Sequence, residues 1–212
     1  SETDFAAGDA NFAAFADKVV AKLAETKETD IAALMAGDLE DAREALVQKI
    51  GENITVRRPA IVEAATVGAY VHSNGKIACI VALTGGNEEL ARDIAMHVAA
   101  SNPQFLDASQ VSEEAIAKEK EIFLALNADK IAGKPENIVE NMVKGRINKF
   151  VSEGSLIEQP FVKDPDLKVG ELAKKAGAEV VSFVRFEVGE GIEKAEVDFA
   201  AEVAAQLAAA KQ

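Results

Sequence analysis

Val67-Gly-Ala-Tyr-Val-His-Ser-Asn-Gly-Lys-Ile-Ala-Cys-Ile-Val-Ala-Leu83 is the stretch that decides the fold class. Two runs rich in β-branched and aromatic residues, Val67 to His72 and Ile77 to Leu83, flank Ser73-Asn74-Gly75. Asn-Gly marks a tight turn because both residues tolerate positive φ. The stretch predicts a β-hairpin and with it an antiparallel sheet. Far downstream, Val180, Ser182, Val184, Phe186 and Val188 alternate with Val181, Phe183, Arg185 and Glu187, closed by Gly189 and Gly191. That period of two predicts a third strand, paired with the hairpin across everything between them.

Outward from the hairpin the period changes to that of helices. Asn87, followed by Glu88 and Glu89, caps a helix whose Leu90, Ile94 and Val98 share one face until Asn102-Pro103 ends it. Ser112 opens a longer helix bearing Ile116, Phe123 and Leu126. Gly133-Lys134-Pro135 breaks it, and Val139, Val143, Ile147 and Phe150 resume the spacing. Two such arms predict an antiparallel helical hairpin with a narrow coiled-coil seam. Gly154 to Pro165 reads as a returning loop, and a short helix around Leu172 ends at Gly177. Upstream, Asp9 caps a helix carrying Phe12, Phe15, Val19 and Leu23. Ile31, Leu34 and Met35 form a second helix stopped by Gly37, and Leu39, Leu46 and Ile50 form a third ended by Gly51. Ile54, Val56 and Arg58 alternate, which predicts another strand, confined by Pro59 to an edge or bulge. Phe199, Val203 and Leu207 predict a final helix. Strands separated by helices, with no regular βαβ alternation, make the class α+β. Asp4-Phe5-Ala6-Ala7 recurs as Asp198-Phe199-Ala200-Ala201, which in a chain this rich in Ala reads as coincidence.

The 212 residues are 49% hydrophobic and 28% charged, which excludes disordered and low-complexity classes. Lys and Arg total 23 against 36 Asp and Glu, a formal charge of −13, so nucleic acid would meet net repulsion. Cys79 stands alone and can form no intramolecular disulfide. A reducing compartment, the cytoplasm, is the expected location. No apolar run approaches the ~18 residues of a membrane span, and the first residues lack the pattern of a signal peptide.

The catalytic inventory is thin. Cys-x-x-Cys, Gly-x-Ser-x-Gly, His-Glu-x-x-His and phosphate-cradling Gly-Lys-Ser/Thr patterns are all missing, so no enzyme, cofactor or metal site is expected. His97 falls near the apolar face of its helix and reads as structural, and Cys79 reads as a buried hydrophobe. His72 sits at a strand end beside a turn, where a side chain is either available for contact or simply solvated. Phe5 in Thr3-Asp4-Phe5 precedes the first long helix. It is either a hydrophobic staple onto that helix or an exposed anchor for a partner's pocket.

Five segments together resemble one known family. Thr3-Asp4-Phe5, Phe15-Ala-Asp-Lys-Val19, Lys49-Ile-Gly-Glu-Asn53, Asp93-Ile-Ala-Met-His-Val-Ala-Ala-Ser101 and Arg185-Phe-Glu-Val-Gly-Glu-Gly-Ile-Glu-Lys194 look like bacterial elongation factor Ts, in order and across essentially the whole chain. The resemblance implies a guanine nucleotide exchange factor for the GTPase elongation factor Tu, acting without bond-making chemistry. It implies antiparallel sheets packed with helices in two related subdomains, an inserted helical hairpin, and a C-terminal helix that packs on the GTPase. The expected divisions are an N-terminal core subdomain over 1–63, a C-terminal core subdomain over 64–111 and 151–192, the hairpin over 112–150, and the C-terminal helix module over 193–212. By the same resemblance Phe5 is the wedge that enters between two GTPase helices, with Asp4 beside it. Ile50 and Gly51 approach the nucleotide side, and His72 contacts a later domain of the partner. Family members carry a small helical domain and a strand hairpin ahead of Thr-Asp-Phe, which this chain lacks. The expectation is therefore an incomplete first subdomain with a severed sheet edge, open to self-association. A competing expectation from the hairpin alone is a scaffold that docks a partner without altering nucleotide affinity.

Overall fold

The computed structural model of the chain describes residues 1–191. The predicted final helix and the second copy of the Asp-Phe-Ala-Ala tetrapeptide lie outside the described residues.

The first part of the chain is helical. A single turn, α1 (Asp4–Ala7), precedes α2 (Ala10–Thr26), α3 (Ile31–Met35) and α4 (Asp38–Ile50). Asp9 caps α2 through Asn11 N, and Gly51 ends α4 in the left-handed region at φ 80°. Phe15, Val19, Leu34, Met35, Leu39, Leu46 and Ile54 close one buried cluster. The expected strand at Ile54 to Arg58 does not form: the segment has no regular secondary structure and pairs with no strand among the described residues. Its alternation has another cause. Ile54 drops into the helical core and Val56 packs at its border, while Arg58 takes φ 54°, which interrupts any ladder. The first unit of the chain thus contributes helices and no paired strand among the described residues, and the antiparallel sheets that make the class α+β lie downstream of it.

The hairpin forms as its sequence predicts. β1 (Thr66–Val71) and β2 (Ile77–Leu83) are antiparallel, with Tyr70 opposite Cys79. On the other side of β2 lies β5 (Val180–Glu187), also antiparallel, giving the order β1-β2-β5. One face of this sheet is covered by α5 (Glu88–Ser101), whose Asn87 cap accepts from Leu90 N at 2.8 Å. The approach is close: a methyl group at Gly68 would stand 2.4 Å from the Arg92 backbone nitrogen, so only glycine lets α5 lie on β1. Val81, Leu83, Ala91, Ile94, Ala95, Val98, Leu156 and Val169 fill this second core.

Between β2 and β5 the chain leaves and returns. α6 (Glu113–Leu126), α7 (Ala128–Ile131) and α8 (Glu136–Gly154) make the helical hairpin, with Ser112 capping α6 through Ala115 N. Arg146 and Glu119 pair across its seam at 2.6 Å. None of the three helices contributes a buried residue. The hairpin's root is different: Gln104 N and Phe105 N donate to Gly154 O, and Leu156 N donates back to Phe105 O. α8 therefore runs past residue 150 into contact with the body. The predicted loop after it holds a small ribbon, β3 (Pro160–Phe161) with β4 (Asp164–Lys168), followed by α9 (Val169–Lys175). No helix among the described residues is long and apolar enough to cross a membrane.

Candidate functional site

Three segments distant in sequence meet at one edge: the α1 turn, the end of α4, and the tip of the β1–β2 hairpin. Thr3 is extended and caps α1, its hydroxyl accepting from Ala6 N at 3.2 Å. The turn closes where Gly8 N donates to Asp4 O and Phe5 O. Successive side chains on the turn point about 100° apart, so neighbours can differ sharply in burial. Ala6 is fully buried, whereas Phe5 is 84% exposed. Phe5 is thus part of its own short helix rather than a residue ahead of the first one, and at that exposure it staples nothing.

At the end of α4, Gly51 N donates to Val47 O at 2.8 Å, and the left-handed backbone turns the chain sharply. The next residue, Glu52, reaches the start of the α1 turn. Its Oε2 accepts from Glu2 N at 3.3 Å and Thr3 N at 3.1 Å, and its Oε1 accepts from the Thr3 hydroxyl. The Thr3 hydroxyl, joined by the backbone N–H groups, holds the Glu52 carboxyl below the usual carboxylate range. Ile50 is half-buried against the helical core and Gly51 is exposed. Lys49 Nζ donates to Asn11 Oδ1 at 2.8 Å, fastening α4 to α2.

At the hairpin tip Gly75 has φ 67°, and Asn74 Oδ1 accepts from Lys76 N at 2.9 Å. Lys76 Nζ then meets Asp4 Oδ2 at 3.1 Å. His72 is exposed on the same tip, its Nδ1 3.1 Å from the Tyr70 hydroxyl. The structure therefore brings Asp4 and Phe5 beside Ile50 and Gly51 through Glu52, and beside the hairpin of His72 through Lys76. The two connecting residues, Glu52 and Lys76, were not among the candidates. Glu52 lay within the segment Lys49 to Asn53, but a polar residue at a chain turn carries no periodic signal of a partner 49 positions away.

The remaining reactive groups sit elsewhere and are buried. Cys79 is 1% exposed, and burial pushes its thiol up to about 11, which suits a small hydrophobe and not a nucleophile. His97 is fully buried between Gln159 and the Val162 N–H, and burial holds it below its ordinary value. Among the described residues no group of three or more His, Cys, Asp or Glu is placed to hold a metal ion.

Comparison with known proteins supplies the context. The family model described as Elongation factor TS matches residues 2–190. Elongation factor Ts of Azotobacter vinelandii is 71% identical over 212 residues, which is 100% of this chain and 73% of that protein. That of Pseudomonas aeruginosa (strain LESB58) is 68% identical over the same span and shares. That of Hahella chejuensis is 64% identical over 207 residues, 98% of this chain and 72% of the relative. Agreement of that order from one end of the chain to the other leaves a single assignment, and the protein belongs to the elongation factor Ts family.

Proposed function

We propose that the chain promotes GDP release from elongation factor Tu during translation elongation, with Phe5 as the wedge. The observation that carries this is the 84% exposure of a phenylalanine whose own turn is fastened on both sides, by Glu52 at Thr3 and by Lys76 at Asp4. A large apolar side chain held in water on an ordered turn is suited to a partner's pocket that covers it. In this reading Phe5 enters between two helices of the GTPase domain and Asp4 assists. Ile50 and Gly51 face the nucleotide side, and His72 reaches a later domain.

Exchange requires no bond to be made or broken by this chain. It requires tighter binding to the nucleotide-free GTPase than to the loaded one, and the ratio is a coupling free energy. By linkage, the factor by which the chain weakens GDP binding is the factor by which GDP weakens the chain's own binding. Burying a phenylalanine contributes roughly 1.5–3 kcal/mol, comparable with the ~1–3 kcal/mol typical of such coupling. The wedge therefore supplies a substantial share, and the wider interface supplies the rest. Where the GTPase holds a Mg²⁺ ion, the wedge would act by shifting the helices that support that ion.

The test is the rate of fluorescent GDP release from elongation factor Tu, measured without the chain, with it, and with Phe5→Ala. Release accelerated by the chain and slowed by the substitution supports the reading. Binding without acceleration would instead match a scaffold that docks through its helical hairpin.

A further inference from the structure

We propose that Glu52 is a positioning residue for nucleotide exchange, which holds the Phe5 turn in the orientation that the GTPase meets. This rests on the reading of Phe5 as the wedge. α1 is a single turn, and an isolated turn is intrinsically unstable because several dihedrals are fixed for one hydrogen bond. Phe5 itself, exposed as it is, adds almost no packing to hold the turn. Ala6 is the one buried side chain of α1, and polar contacts supply the rest of the order, three of them from one carboxylate.

Glu52 receives three donors from two consecutive residues: Glu2 N, Thr3 N and the Thr3 hydroxyl. An ionised carboxylate accepts on both oxygens and donates nothing, so all three contacts favour the same placement. The hydroxyl contact also matters one step further on. A hydroxyl has one hydrogen, and spending it on Glu52 Oε1 turns a lone pair toward Ala6 N, the contact that caps α1. Glu52 thus sets the cap that sets the helical turn that presents Phe5. Its own base is firm: it follows the left-handed Gly51 at the end of α4, a helix anchored by the buried Leu39 and Leu46. Ordering the wedge before encounter removes a conformational cost that binding would otherwise bear.

The chain contains no tryptophan, so Phe5→Trp installs a single reporter at the wedge. In that background, Glu52→Gln should lower the fluorescence anisotropy of the tryptophan, because the amide cannot accept from all three donors. In the otherwise native chain, Glu52→Gln should slow GDP release from elongation factor Tu by about fivefold, the scale of one lost net hydrogen bond, with the melting temperature lowered by no more than about 2–4 °C. Thr3→Val, which removes the same hydroxyl contact from the other side, should do likewise. Combined with Phe5→Ala, Glu52→Gln should slow release by much less than fivefold, since only Asp4 on the same turn is left to position. Unchanged anisotropy, or a full additional loss in the Phe5→Ala background, overturns the role assigned to Glu52 while leaving the wedge standing. A Phe5→Ala chain that exchanges at the native rate overturns the wedge and this inference with it.

Discussion

Lys76 Nζ lies 3.1 Å from Asp4 Oδ2, which joins the first turn of the chain to the tip of a hairpin 72 residues away. Both side chains are at least half exposed, so the pair stabilises the fold little and mainly restricts where the α1 turn can sit. Lys76→Ala should leave the melting temperature close to native and slow GDP release modestly, less than Glu52→Gln does. The contact is screened as ionic strength rises, so the difference between Lys76→Ala and the native chain should shrink from low salt toward about 0.5 M. A gap that stays constant with salt would show that Lys76 acts by some contact other than Asp4.

Phe5→Ala separates binding from stability. The side chain is 84% exposed, so its loss should barely move the melting temperature. Losing roughly 1.5–3 kcal/mol of burial in the complex corresponds to a tenfold to hundredfold slowing of assisted release. A drop in thermal stability of several degrees would mean that Phe5 packs on α2 in solution, against its position in the structure.

The parts of this fold that could be read in the sequence are those set by neighbouring residues. Asn74-Gly75 fixes a turn within a few positions, and the caps at Asp9, Asn87 and Ser112 each bond a backbone N–H two or three residues on. The third strand was legible because its period of two persists from Val180 to Glu187. Ile54 to Arg58 misled for a physical reason: a short alternation records which residues are buried and not what buries them, and here the cover is a set of helices. At the site, Phe5 stood out as an apolar residue in polar company. Glu52 and Lys76 did not, because a carboxylate and an ammonium in an acidic, charge-rich chain look the same whether they meet a partner or water.

The two histidines should behave oppositely. Val162 N donates to His97 Nδ1 at 3.2 Å, so that nitrogen keeps its lone pair and Nε2 carries the hydrogen toward Gln159 Oε1 at 2.9 Å. Burial depresses the folded-state value below the ordinary 6.5, with the Gln159 bond opposing it only in part. Between the depressed value and 6.5 the unfolded chain therefore binds a proton that the folded chain refuses. Stability should fall as pH drops through 6.5 and stop responding to this group below the folded value. Melting curves from pH 7.5 down to about 5 should show that slope, and His97→Gln should flatten it while lowering stability throughout. His72→Ala should leave the melting temperature close to native and weaken association with elongation factor Tu by about 1 kcal/mol, as expected for an interface side chain on an exposed tip. Reversed outcomes would exchange the two assignments.

The helical hairpin separates from its root in the same way. α6, α7 and α8 bury nothing fully and meet each other along a seam that includes Arg146 and Glu119, so the arms depend on one another more than on the sheet. Replacing residues 113–150 with a short Gly/Ser linker should leave a cooperative melting transition, since the closure entropy of a surface connection changes slowly with its length. GDP release should fall less than with Phe5→Ala, because Phe5 and the residues that hold its turn lie on other elements. Extending the deletion to residue 159 removes Gly154, whose carbonyl receives Gln104 N and Phe105 N, and the fully buried Leu156. It also removes Gln159, the partner of buried His97, leaving a buried polar group unsatisfied beside a new cavity. That longer deletion should lose the cooperative transition. If the shorter one loses it too, the arms belong to the core and the boundary between insertion and body lies elsewhere.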